Sequence, residues 1–90
     1  MAQLTEKNIV LKNNIKFRIN ELLELKGLRQ TDLASLSLKD RQAINRWTNV
    51  NNYRGITIYT IEDFCDIIKI SLFEFFDSPL FNKQPSNNIT

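Results

Sequence analysis

The sequence predicts an all-α fold, a compact bundle of five helices around one core. Three observations carry that expectation. Ninety residues are the size of one small domain, with no room for a second independent core. Only two glycines and two prolines interrupt the chain. Apolar residues recur at helical spacing, while β-branched residues nowhere alternate with polar ones over a long stretch.

Residues 1–13 are polar with scattered Leu4, Ile9, Val10 and Leu11, and are expected to be poorly ordered. From Asn14 a helical pattern begins, with Ile15, Ile19, Leu22 and Leu23 on one apolar face. Gly27 stands where a helix is left through a positive φ. A short second helix over about residues 30–36 buries Leu33 and Ala34, and Ser37-Leu38-Lys39 makes a tight connection. Asp40 is then placed to cap a third helix reaching about Asn49, with Ile44 and Trp47 three apart on its inner face. Residues 49–59 lack a helical period and read as a loop. Thr60, with Asp63 three residues on, is expected to cap a fourth helix burying Ile61, Phe64, Cys65, Ile67 and Ile68. Ser71 and Glu74 form a capping box for a fifth, residues 72–77, which Pro79 is expected to stop. Residues 14–81 would thus form the folded domain and residues 82–90 a disordered tail.

Composition excludes several kinds of chemistry. There is no histidine and a single cysteine, Cys65, so neither a Cys–His pair nor an internal disulfide is possible. Cys65 reads as a small buried thiol on a helix. No metal-ligand spacing, Gly-rich phosphate loop or paired carboxylates beside a nucleophile occur, so neither an enzyme nor a cofactor or small-molecule ligand is expected. Nor is there an apolar run suited to a signal peptide or a membrane span, and a cytoplasmic setting is expected.

The formal net charge of +2 conceals an uneven distribution. Residues 29–54 carry five basic side chains against two acidic ones, a local +3, whereas residues 55–81 carry one basic against five acidic, a local −4. A polyanion would find its complement in the middle of the chain. There the second and third helices, joined by a short connection and pinned inward by Leu33, Ala34, Ile44 and Trp47, have the form of a helix-turn-helix. A third helix held on that face projects Arg41, Gln42, Asn45, Arg46 and Asn49 outward. Arginine can fork onto guanine and Gln or Asn onto adenine in the major groove of DNA. The helix's only acidic residue, Asp40, is accounted for by capping.

The stretch from Phe17 to Ser35, FRINELLELKGLRQTDLAS, resembles the opening of phage-repressor-type (Cro/CI, XRE) helix-turn-helix domains. The matching features are Arg18-Ile19, Leu22, Lys26-Gly27-Leu28, Gln30 and Leu33-Ala34. TIEDFCDIIKISLFEFF, from Thr60 to Phe76, is similar to the family's two closing helices. The resemblance implies a lambda-repressor-like bundle of five helices in which helices two and three bind double-stranded DNA. A transcriptional regulator is expected, acting as a homodimer because the modest positive field allows few phosphate contacts per subunit. The resemblance also implies roles by position. Gln30 would bind a phosphate; Arg41, Gln42, Asn45 and Arg46 would face the major groove. Asn49 and the following loop, with Asn51, Asn52 and Arg54, would approach the backbone, and Lys39 joins this DNA-binding set. Three features depart from the family. Leu38 replaces the usual turn glycine and Lys39 the apolar residue after it, so that either Leu38 takes a buried turn position or the turn is rebuilt. Arg29 stands at a customary Ser or Thr cap, and the loop after Asn49 is longer than usual.

Competing readings attach to several residues. Arg41, Gln42 and Arg46 are expected at bases or phosphates, while Asn45 stands open between a base contact and a solvated position. Trp47 shares a face with Ile44 and reads as core rather than as a stacking platform. Arg18 reads as a structural ion-pair residue. Phe73, Phe75, Phe76 and Phe81 read mainly as core, with some surplus available to a dimer interface. The acidic, Phe-rich segment 62–81 keeps a second function open, a protein-interaction module of antitoxin or adaptor type on the same fold.

Overall fold

A computed structural model of the chain describes residues 5–82. Six helices follow one another: α1 (Glu6–Leu25), α2 (Gln30–Ser37), α3 (Arg41–Thr48), α4 (Ile58–Ile68), α5 (Leu72–Phe76) and α6 (Pro79–Asn82). Among the described residues there is no strand. The long α1 packs against α3 and α6, α2 packs against α3 and α4, and α4 packs against α5. Ile19, Leu33, Ile61, Phe64 and Phe75 lie at the centre of the core they share. Phe64 meets Trp47 edge-on at 6.5 Å and Phe75 edge-on at 6.0 Å, so one aromatic chain ties α3, α4 and α5 together. Trp47 is accordingly a core residue, only 6% exposed.

The first helix starts earlier than the sequence pattern suggests. Residues 6–13, expected to be poorly ordered, are its first two turns. Thr5 caps them by accepting the Asn8 N–H at 3.1 Å. Ile9, Val10 and Leu11 all remain substantially exposed, so these turns lack the apolar face that marks residues 15–23. What holds them is Lys12, buried against the loop after α3. Residues 1–4, and all of the expected tail but Asn82, lie outside the described residues.

Three helices end in one way. Gly27, Leu38 and Lys69 have φ of 69°, 59° and 65°. In each case the next N–H reaches back five residues: Leu28 to Leu23 at 2.8 Å, Lys39 to Ala34 at 3.3 Å, Ile70 to Cys65 at 3.0 Å. Only one of the three is a glycine. Leu38 thus adopts the left-handed conformation that a turn glycine would take, and its side chain is 91% exposed rather than buried.

The capping expectations fare unevenly. Asp40 caps α3 by accepting the Ala43 N–H at 2.9 Å. Ser71 and Glu74 form the reciprocal box on α5, at 3.0 and 2.9 Å. Thr60, however, is not the cap of α4. That role belongs to Thr57, whose hydroxyl accepts the Thr60 N–H at 3.2 Å; Ile58 and Tyr59 point to solvent and hid the helix's first turn from its apolar pattern. The fifth helix does end before Pro79, at Phe76, but the helical region continues: Pro79 opens α6, where its fixed φ suits a first helical position, so the described residues form six helices rather than five.

Candidate nucleic-acid interface

The helix-turn-helix is built by α2 and α3 across the turn at Leu38, Lys39 and Asp40. On α3 the inner face buries Ala43, Ile44, Trp47 and Thr48, which forces the outer face to carry Arg41, Gln42 and Asn45 in solvent, with Arg46 half-buried at its edge. Ile44 belongs to the core cluster and fixes the rotation of the helix about its own axis. Arg29, which precedes α2, offers no side-chain acceptor as a cap. Instead Asp32 turns back onto the Arg29 backbone N–H at 2.8 Å and onto its guanidinium at 3.3 Å. The hydrogen bonds from Arg29 hold the Asp32 carboxyl below its ordinary range. This carboxylate is therefore occupied locally.

An open groove of about 790 Å³ runs between α2, α3 and the loop that follows. Gln30, Arg41, Gln42, Asn45, Arg46, Asn52 and Arg54, seven of the expected DNA-binding residues, line it together. Thr31 lines it too, a residue the sequence pattern did not single out; its exposed place one residue after Gln30 was the available signal. Lys39 and Asn49 are not among the lining residues. Lys39 is exposed on the turn, and Asn49 ends α3 half-buried, its Oδ1 accepting the Asn51 N–H at 2.9 Å.

The groove contains three guanidiniums and no carboxylate. Among the described residues the ion pairs are Arg18–Glu21 and Arg29–Asp32, so Arg41, Arg46 and Arg54 have no acidic partner. The loop's lining residues are locked by short-range amide bonds. Asn52 Nδ2 donates to Asn45 Oδ1 at 3.1 Å, while Asn52 Oδ1 accepts the Arg54 N–H at 3.0 Å. Arg54 also lies over the exposed Tyr53 ring, 5.9 Å from its centroid.

Behind this surface lies a feature that the sequence pattern did not reveal. Lys12, Lys16 and Asn20, spaced four apart on one side of α1, all donate to carbonyls at the end of α3 and in the loop. Lys12 Nζ reaches Val50 O at 3.0 Å and Asn52 O at 3.2 Å. Lys16 Nζ reaches Asn52 O at 2.9 Å and Asn49 O at 3.3 Å. Asn20 Nδ2 reaches Thr48 O at 2.8 Å. Lys16 is completely enclosed, and burial, helped by the neighbouring Lys12 charge, pushes its amine down to about 8. The polar period beside the apolar Ile15–Ile19–Leu22 stripe was the available signal.

Arg18 plays the matching part at the other end of the bundle. Its guanidinium donates to Phe75 O at 2.7 Å, Glu74 O at 2.8 Å and Asp77 O at 3.4 Å, and pairs with Glu21 at 2.9 Å. It is the structural ion-pair residue expected, with backbone carbonyls added to its carboxylate partner. Cys65 is buried, and burial first, then the Asp66, Glu74 and Glu62 charges, pushes its thiol up to about 11.

The model of one protein family, described as a Cro/C1-type helix-turn-helix DNA-binding domain, matches residues 18–78. The chain belongs to that family. The matched span runs from within α1 through α5 and holds the whole groove, so the Cro/C1-type assignment and the exposed face of α3 concern the same segment. As a Cro/C1-type domain the chain is an all-α DNA-binding protein, in agreement with the resemblance in its motifs. Nothing among curated proteins or solved structures matches it. No helix among the described residues is long and apolar enough to cross a membrane.

Proposed function

We propose that this Cro/C1-type domain is a transcriptional regulator that reads double-stranded DNA in sequence, with α3 in the major groove. The observation that carries the reading is the groove itself, in which three unpaired guanidiniums and several amides converge without a carboxylate. Arg41, Gln42, Asn45 and Arg46 present donor and acceptor pairs suited to base edges. Gln30, at the first position of α2, together with Lys39, Asn49, Asn52 and Arg54 flanks that face and would hold the sugar-phosphate backbone. Few cations per subunit give modest affinity, so the protein would act as a homodimer on a roughly two-fold site.

Selection of bound DNA from a random pool, followed by anisotropy titrations over a salt series, tests this. Affinity should fall steeply with salt. The double substitution Arg41→Ala, Arg46→Ala should weaken binding and abolish sequence preference, whereas Lys39→Ala should lower affinity uniformly across sequences and flatten the salt slope by roughly one unit. Retention of both affinity and preference would overturn the assignment. A second reading, the same fold as a protein-interaction module, draws on Phe73, which is 78% exposed beside Glu74 on α5. Capture of a stoichiometric protein partner, with no DNA retardation at low salt, would favour it.

A further inference from the structure

The groove's far wall is a loop, and loops of this length do not hold their shape by local bonds alone. Between α3 and α4 the chain spans residues 49–57 without regular structure, and Asn49, Asn51, Tyr53, Arg54 and Gly55 are all at least partly exposed. Its carbonyls would ordinarily turn to water. Those of Asn49, Val50 and Asn52 instead turn inward onto two ammonium groups from α1, and the Asn52 oxygen is shared by both. The arrangement encloses the Lys16 amine beside a like charge, and burial first, then the Lys12 charge, disfavours its ionisation. It persists because four charge-assisted hydrogen bonds offset that cost, each roughly twice the strength of a neutral one.

We propose that Lys12 and Lys16 are positioning residues for DNA recognition, setting the Asn52 backbone so that Asn45, Asn52 and Arg54 face the groove together. The proposal rests on the DNA-binding reading of that groove. Asn52 is the pivot because it faces both ways. Its carbonyl is clamped by the two lysines, while its side-chain amide bonds Asn45 on α3 and the Arg54 backbone. A shift of the Asn52 backbone therefore moves one residue suited to a base and one suited to a phosphate. Both lysines precede residue 18, where the family match begins, so the brace lies outside the matched segment. Neither amine lines the groove, and neither is placed to touch DNA itself.

The test compares the full chain with its Lys12→Met variant, which keeps an unbranched apolar stem and loses the donor. Binding is measured by anisotropy on DNA selected by the wild-type protein, at a temperature where circular dichroism shows both proteins folded. Lys12→Met should weaken binding about tenfold, the equivalent of removing one charge-assisted hydrogen bond. In an Asn52→Ala, Arg54→Ala background the same change should cost less than about twofold, because the groups it positions are already gone. Amide hydrogen exchange in the free protein supplies a second readout. Exchange at Asn52 and Arg54 should quicken in Lys12→Met while the amides of Phe64 and Cys65 in α4 keep their wild-type protection. Should Lys12→Met lower the melting point below the assay temperature, Lys12→Gln carries the same comparison, its amide being too short to span both carbonyls. Unchanged affinity in the single variant, or an equal loss in both backgrounds, overturns the positioning role. Uniform acceleration of exchange across α4 and the loop would reduce the lysines to general stabilisers and overturn it as well. If the wild-type protein itself selects no DNA, the functional reading fails first, and that outcome is distinct from a variant that binds as well as its parent.

Discussion

Replacing Leu38 by glycine should stabilise the protein. Leu38 ends α2 at φ 59° and ψ 30°, a left-handed conformation in which an L-residue's Cβ crowds the following carbonyl. The crowding costs roughly 1–2 kcal/mol. Glycine removes it but frees the unfolded chain, which returns roughly 0.5–1 kcal/mol. The leucine side chain is 91% exposed, so its removal forfeits little burial. The net gain is about 1 kcal/mol, or roughly 4–8 °C in melting temperature for a domain of this size. Thermal and urea unfolding followed by circular dichroism read it directly. Leu38→Ala, which keeps the Cβ, should give no comparable gain, and Leu36→Gly inside α2 should lose about 1 kcal/mol. An equal gain from Leu38→Ala would show that removing an exposed leucine, rather than relieving the backbone, was responsible, and the reasoning would be refuted.

Three further outcomes are expected. Asp40→Ala removes the acceptor for the Ala43 N–H at the start of α3 and should cost about 1 kcal/mol, whereas Asp40→Asn, still a good cap, should cost little by the same melts. Arg18→Met keeps the buried stem but strips the donors from the carbonyls of Glu74, Phe75 and Asp77; a loss of about 2–3 kcal/mol in urea unfolding is expected. Lys16 should make stability depend on pH: its folded amine sits near 8 against an ordinary 10.5, so above pH 8 the unfolded chain binds the extra proton and stability rises with pH. Cys65 acts in the opposite direction as pH approaches and passes its ordinary 9, because its folded thiol is held up to about 11, so the lysine effect dominates in the lower part of the interval from pH 8 to 9. Urea midpoints measured across that interval should climb in the wild type and stay level in Lys16→Met; a level wild type would contradict the burial of the amine's charge.

Much of the fold was legible because apolar period and capping chemistry agreed. Ile15, Ile19, Leu22 and Leu23 marked the buried side of α1, Ile44 and Trp47 that of α3, and Asp40 and Ser71 announced their helices. The groove followed from these, since pinning one face of α3 dictates what the other displays. Illegible features were those whose support lies far away in the chain. Residues 6–13 have no apolar stripe of their own, and their anchor, Lys12, meets its partners 38 and 40 residues later. The exits at Leu38 and Lys69 were hidden because neither residue is the glycine that usually signals a positive φ, whereas Gly27 was plain. Thr57 was masked as a cap by Ile58 and Tyr59, which face solvent and break the apolar pattern at the point where α4 begins.

The position of the two lysines also bears on where this domain can be cut. A fragment confined to residues 18–78 would contain every side chain that lines the groove. It would lack the two amines on which the loop's carbonyls close, and with them Ile15 of the core. Such a fragment would display the right residues on an unsupported wall. For this chain, keeping the groove's wall braced takes a longer segment than the one by which its family is known, one that reaches back through Lys12 and Lys16 in α1.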